Sequence, residues 1–409
     1  MSGGMLVLMF SLLSRVPRLS RAQWTRLVTT ALYIAAVVMF LQSIRQFHHR
    51  GTGFTEFIDF GDQFYNTILP SIRNMPRYTD PRSPGYDGQF YAQLAVEPLL
   101  RDRDIDKALD NPPYRARRIL FSWTAYLFGL GRPEWIVRVY AMQNIVAWLV
   151  LAGLLLRWFP PTSARNFLPW FGCLYGIGIA SSVRFALLEG PAMVLIVLAV
   201  WAMERSRSWI AAGVLGLVGL GRETFMLTSG LLVDRLPRTR HQLLVVIAKG
   251  LAVGLPFLLW VLYVRSLYPN FNLSNPDSFN VPMSGYFQKW FAILDELQTR
   301  GWWTFARFHL ATMIGLTTQL LFLIFRREWD NPWWRAGAAY CLLMPFLSYL
   351  VWEGSPGAAP RVLLPVSFAF NVLVARLPNR WFWPLVILGN LSVWHGMPTL
   401  GVSWVQKIS

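Results

Sequence analysis

Long apolar runs alternate with short basic breaks along most of this chain, and that alternation predicts its elements. Apolar runs read as spans fall at about 24–41, 135–156, 167–183, 191–203, 243–264, 302–325, 336–351, 362–375 and 382–394, the first near the ~20 residues that a helix needs to cross a bilayer. A further run, 209–233, is interrupted by Gly221, Arg222 and Glu223, which predicts two short helices meeting at the break. The pattern therefore predicts an all-α fold, a polytopic transmembrane helix bundle of about eleven spans in one domain, 1–409. Two polar stretches stand apart. Residues 43–133 form a large first outer loop, with short juxtamembrane helices expected at 86–97 and 119–130. The first of these reads as amphipathic, with Phe90 and Leu94 four residues apart. Residues 265–301, rich in Pro and Asn, form a second outer loop.

The basic breaks give the chain a direction. Arg15, Arg18, Arg21 and Arg26 surround the start of the first run, and positive charge there places the N-terminus inside. Followed through the spans, every inside loop is basic. These loops hold Arg157 and Arg165; Arg205 and Arg207; Arg235, Arg238 and Arg240; Arg326, Arg327 and Arg335; Arg376 and Arg380. The short outside turns carry fewer, mixed charges: Arg184 with Glu189, Arg222 with Glu223, and Glu353 with Arg361. The C-terminus then falls outside. The first outer loop is rich in arginine without contradicting this, because long loops translocate regardless of charge. The N-terminal segment MSGGMLVLMFSLLSR has no basic start and no small-residue cleavage site, so it reads as interfacial and not as a cleaved signal peptide.

Composition narrows the class. Of 409 residues, 54% are hydrophobic and 14% charged, against about 25% charged in soluble domains. Mean hydropathy is +0.38. Many of the 20 Trp flank apolar runs, as an aromatic belt does. The net charge of +17 could suggest nucleic acid, but its arginines are scattered between apolar runs instead of forming a stripe, so nucleic-acid binding is set aside. Cys173 and Cys341 lie in separate apolar runs with no metal spacing and read as structural thiols.

Three groups of residues could carry chemistry. The first is the acids of the stretch 57–98, among them Asp59, Asp62 and Asp87. A partly desolvated Asp there could act as general base on a hydroxyl. Asp87 could equally be a first-turn or N-cap acid of its helix, and Asp59 an ordinary loop acid paired with Arg73 or Arg77. The second is ionisable residues at the outer ends of spans: Arg184, Glu189, Arg222, Glu223, Glu353 and Arg361. Charges at membrane depth point to function by default, and the arginines suit a phosphate; mutual salt bridges between spans are the bland alternative. Adjacent Arg222 and Glu223 face different ways and need not pair. The third, Asp102, Asp104 and Asp106, alternates with Arg101, Arg103 and Lys107 and reads as a solvated, self-neutralising surface. His48 and His49 read as interfacial. The sequence contains no HExxH, P-loop or GxSxG. A local echo joins Asp62-Gln63-Phe64-Tyr65 to Asp87-Gly88-Gln89-Phe90-Tyr91.

This layout resembles the GT-C membrane glycosyltransferases. FIDFGDQFYNTILPSIRNMPRY is similar to the DF…Y…PY pattern of polyprenyl-phosphomannose-dependent members, and on that match Asp59 takes the place of the catalytic Asp. SPGYDGQFYAQLAVEP, LGRETFML and APRVLLPV look like motifs of uncharacterised bacterial relatives. The resemblance implies transfer of a sugar from a lipid-linked polyprenyl-phosphate donor to a glycan or glycolipid acceptor, on the periplasmic face of the inner membrane, among membrane lipids. It implies inversion, with Asp59 or Asp87 as base and arginines such as Arg222, Arg361 and Arg184 on the donor phosphate. Asp62, Tyr86, Gln89, Tyr91, Glu189, Glu223 and Glu353 would support the site. The scheme requires no cofactor and no metal. A transporter or flippase of lipid-linked sugars, and an enzyme like an O-antigen ligase or polymerase, are the alternatives. No internal symmetry of the kind common in transporters is visible.

Overall fold

The computed structural model describes residues 20–234, 237–270, 276–353 and 358–402. The N-terminal segment read as interfacial, with Arg15 and Arg18, and the inside-loop Arg235 lie outside the described residues.

Among the described residues the fold is all-helical, with no strand. The helices used below are α1 (Arg21–Arg45), α2 (Gly88–Val96), α3 (Pro112–Ala116), α4 (Leu120–Phe128), α5 (Pro133–Leu154), α6 (Ala164–Tyr175), α7 (Ile177–Arg184), α8 (Glu189–Glu204), α9 (Ser208–Gly221), α10 (Arg240–Leu267), α11 (Ser284–Arg300), α12 (Ala306–Phe325), α13 (Pro332–Leu343), α14 (Ala358–Val362), α15 (Leu364–Val374), α16 (Asn379–Gly389) and α17 (Val393–Thr399). Four are long and apolar enough to cross a membrane: α1, α5 with its following turn, α10 and α12. Helix α10 makes the case plainly. Its 28 residues would reach ~42 Å, and Leu243, Leu244, Ile247, Leu251, Leu255, Leu258, Leu259 and Leu262 are all exposed along it. Leucines left outside a packed fold at that density need an apolar solvent.

Elsewhere the apolar runs form shorter or broken helices. The run 167–183 breaks at Gly176, whose backbone is extended between α6 and α7. The break leaves room for α17, whose Gly396 lies so close to the Tyr175 carbonyl that a Cβ could not fit. The run 209–233 breaks at Arg222, as its charges predicted, into α9 and a 3-10 turn Glu223–Leu232. Two further findings depart from the sequence pattern. The second polar loop contains a 17-residue helix, α11. Helix α2 is not amphipathic: every residue from Gly88 to Ala95 is buried, because α4, α5 and the preceding loop enclose it.

Helix α8 joins two polar clusters, with Glu189 at its start and Glu204 at its last residue, and these mark two ends of the bundle. At one end the start of α8, the α9 break and α14 meet the loop before α2. At the other, Trp158 donates to Glu204 at 2.7 Å and packs edge-on against Trp333. There, too, Arg165 reaches Asn379 and the Ala375 carbonyl. Interior aromatic contacts lock the layers, as where Phe40 of α1 stacks on Trp148 of α5 at 3.8 Å.

Candidate active site

The site begins with two interlocked turns in the first polar loop. Gly85, at φ +69, sits so close to the Asp59 carbonyl and the Gly61 amide that no side chain could be added. The Tyr86 amide donates to the same Asp59 carbonyl at 3.0 Å. Gly88 opens α2 directly against the Phe185 carbonyl. Two buried glutamines then fasten the loop to α2. Gln89 donates to the Pro84 carbonyl at 2.8 Å, and Gln93 accepts from the Leu69 amide at 3.0 Å while donating to Ala108 at 2.9 Å. Asp87 stands at the N-cap position of α2 but makes no cap bond. Its carboxylate reaches across to Arg115.

Helix α3 supplies that arginine. Asn111 caps it by accepting from the Tyr114 amide, and Pro112 and Pro113 fill its first turn, where missing N–H groups do no harm. Arg115 pairs with Asp87 at 2.8 Å and with Asp110 at 2.7 Å, and it packs over the Phe90 ring. The next arginines, Arg117 and Arg118, both pack against the Tyr114 ring. Both pair with Glu223, Arg118 through a two-pronged contact at 2.6 and 2.7 Å. Arg118 also donates to the Tyr91 and Tyr114 hydroxyls. Four of its five donors are therefore committed to protein.

Arg222 and Arg361 are arranged differently. Both converge on one oxygen of Glu189, at 2.8 and 3.2 Å, and Glu189 is fully buried at the start of α8. Arg361 also donates to the Tyr86 hydroxyl at 3.0 Å. One carboxylate thus balances two guanidinium groups, and the Nε of each arginine has no hydrogen-bond partner among the described residues. Buried donors left open are costly unless something accepts from them.

These groups surround a cavity of about 660 Å³ whose lining includes Asp87, Arg117, Arg118, Arg222, Glu223 and Arg361. Leu227, Phe279, Leu343, Leu347 and Val351 give it an apolar side. One oxygen of Asp87 is held by Arg115, and the side chain is 33% exposed. Burial alone would raise its pKa, but the adjacent Arg115 outweighs that and holds the carboxyl below the usual range. Chemically the cavity brings an ionised carboxylate and two guanidinium groups that share one counter-charge into a single lining, beside an apolar wall.

Other expected residues fall elsewhere. Asp59 does not line the cavity. Its residue is half-buried at φ 59, and its carboxylate has no ion pair among the described residues. Arg73 and Arg77, the partners expected for it, bond backbone carbonyls instead. Burial raises the Asp59 pKa, against the pull of Arg184. Arg184 pairs with Glu56 at 3.1 Å and lies over Phe47, outside the cavity. His49 holds the same Glu56 at 2.6 Å. Asp62 is exposed and accepts from the Arg82 amide at 2.7 Å. Glu353 pairs with buried Lys289 at 2.5 Å and does not line the cavity. The residues that sequence reasoning passed over are Arg115, Arg117, Arg118 and Asp110. The run YRARR between a Pro-Pro helix start and an apolar helix was the available signal. Among the described residues no group of three or more His, Cys, Asp or Glu is placed to share a metal ion.

No family model matches the chain, and neither a curated protein nor a solved structure matches it. The functional assignment therefore rests on the chemistry of the cavity.

Proposed function

We propose that this protein is a membrane glycosyltransferase of GT-C type, which moves a sugar from a polyprenyl-phosphate donor to an acceptor hydroxyl. The observation that carries this reading is the cavity whose lining joins Asp87 to Arg222 and Arg361, two guanidinium groups sharing the single charge of Glu189. That excess of positive charge suits a phosphate, and the apolar wall suits the first isoprenyl units. In this reading the chain crosses the membrane about eleven times, with this end of the bundle on the periplasmic face. The mixed-charge turns meet around the cavity, while Arg165 of the basic loops gathers at the opposite end.

In the proposed reaction the acceptor hydroxyl donates to Asp87, which takes its proton as the oxygen attacks the anomeric carbon. The bond from that carbon to the phosphate oxygen breaks, and both its electrons leave with polyprenyl phosphate. Arg222 and Arg361 hold the growing phosphate charge. A single displacement inverts the anomeric centre. Between the two candidate acids geometry decides first, and it favours Asp87, because Asp59 lies outside the cavity. The Asp59 turn then serves as scaffold for Tyr86, which positions Arg361.

The test is transfer of labelled sugar from a panel of polyprenyl-phosphate sugars by the purified protein in lipid. Release of polyprenyl phosphate with a new glycoside supports the reading. Donor binding with no turnover across a broad acceptor set would instead point to transport.

A further inference from the structure

The opposite end of the bundle holds a second, unrelated cavity. It is a groove of about 380 Å³ between α12 and α13, lined by Leu323, Arg327, Trp329, Trp334, Ala338 and Leu342 among others. Three features define what it takes. Its floor is small where Gly230, Ala338 and Ala339 contribute, and its mouth is apolar, with Ile324 and Leu342 exposed. At one end stand two indoles 5.7 Å apart. Each spends its N–H internally, Trp329 on the Asp234 carbonyl and Trp334 on the Leu323 carbonyl, both at 3.0 Å. What they present is ring surface, as indoles do at headgroup depth. Beside them the arginines divide. Arg326 pairs with Glu328 at 2.7 Å, and Arg335 donates to the Leu231 and Trp329 carbonyls. Arg327 lines the groove and has no ion pair among the described residues.

An apolar groove with an aromatic rim and one uncommitted cation at the rim matches a single amphiphile. We infer that this groove binds one anionic phospholipid, its phosphate on Arg327 and an acyl chain lying along Ala338 toward Leu342. The helical stripe Trp334, Ala338, Leu342 spaces side chains one turn apart, which gives a continuous bed for an extended chain. The charge matches as well, because this end of the bundle carries the basic loops, and cytoplasmic leaflets are anionic. The inference does not depend on the transferase reading, since the two cavities share no residue.

Native mass spectrometry of the delipidated full chain, titrated with phosphatidylglycerol or phosphatidylcholine, tests it. One phosphatidylglycerol should be retained with about fivefold preference, the scale of one arginine near an anionic headgroup. Arg327→Gln should remove the preference, and Arg326→Gln should leave it intact. Ala338→Trp, which fills the floor, should release lipids of both headgroups. Should that variant fail to fold, modification of Cys341 in the native chain gives the same information. That thiol lines the groove, and phosphatidylglycerol should slow its modification more than phosphatidylcholine does. Equal retention of the two lipids, or an unchanged preference in Arg327→Gln, would overturn the inference. So would a protein dimer that Ala338→Trp abolishes, which would give the groove to a second copy.

Discussion

The loop holds two acid-bearing turns with nearly the same letters and opposite fates. In the first, Asp59 precedes Asp62-Gln63-Phe64-Tyr65, and these last four side chains are exposed. In the second, Asp87 precedes Gly88-Gln89-Phe90-Tyr91, all four buried. Glycine at position 88 makes the difference possible, since it lets α2 start against the Phe185 carbonyl and sink into the fold. Once α2 is buried, Asp87 is drawn to Arg115 and opens onto the cavity. Asp59 stays where its carbonyl accepts from the Tyr86 amide, and its carboxylate has no ion pair among the described residues. What an acid can do here is set by which arginines the fold brings to it, more than by its neighbours in sequence.

The widest separation between the two turns should appear in catalysis. Asp87→Asn should lower the transfer rate by about 10²–10⁴, the usual contribution of a general base, while donor affinity is kept. Asp59→Asn should leave the rate within a small factor. Reversal of that order would move the base to Asp59. The pH profile separates them without mutation. The Asp87 pKa lies below the ordinary value of about 3.9, so the acid limb of kcat/KM should fall below that value too. A limb above it would match Asp59, which burial raises.

A smaller effect is expected across the cavity. Arg222→Gln and Arg361→Gln should each weaken donor binding about 10- to 100-fold, as loss of a charged hydrogen bond does. Binding of the labelled donor measures this directly. Arg184→Gln, whose guanidinium is held by Glu56 beside the Asp59 turn, should leave donor binding unchanged. Equal losses at all three positions would mean that the arginines act through overall charge.

These contrasts were only partly legible in the sequence. Apolar runs gave the helices, because burial and lipid exposure follow residue type directly, and the Arg222 break was marked by its own charges. Glu189, Arg222 and Arg361 could be singled out because a charge at the end of an apolar run is conspicuous. Arg115, Arg117 and Arg118 could not, because they sit among many loop arginines and their meaning lies in partners such as Glu223, more than a hundred residues away. The complete burial of α2 was hidden for a similar reason. The amphipathic reading left a polar face exposed, yet Gln89 and Gln93 are buried and bracket the backbone of the loop. Helix α11 was obscured by the Pro- and Asn-rich stretch before it.

Stability should separate the two acids again, with opposite signs. Asp87 has a depressed pKa, so its contribution is present above the unfolded value of about 3.9 and is lost as pH falls through the folded value. Asp87→Asn should therefore cost about 1 kcal/mol at neutral pH, because Asp110 keeps Arg115 partly paired and the carboxylate is partly exposed. Asp59 has a raised pKa, so its neutral form favours folding at low pH and that benefit is lost as pH rises through the folded value. Asp59→Asn should leave neutral-pH stability equal or slightly higher. Thermal unfolding in detergent, repeated at acid and neutral pH, reads both signs.

The least disturbance is expected at Asp62, which sits in the echo where Asp87 sits in the cavity. Its carboxylate accepts from the Arg82 amide at 2.7 Å, on an exposed turn where Arg82 itself is held at φ 59. Asp62→Asn keeps an oxygen able to accept that bond and removes only a solvated charge, so stability should move by no more than about 0.5 kcal/mol. Transfer should not change. If Asp62→Asn instead slowed transfer as much as Asp87→Asn, the shared letters would carry a shared role, and the cavity would not be what distinguishes the two turns.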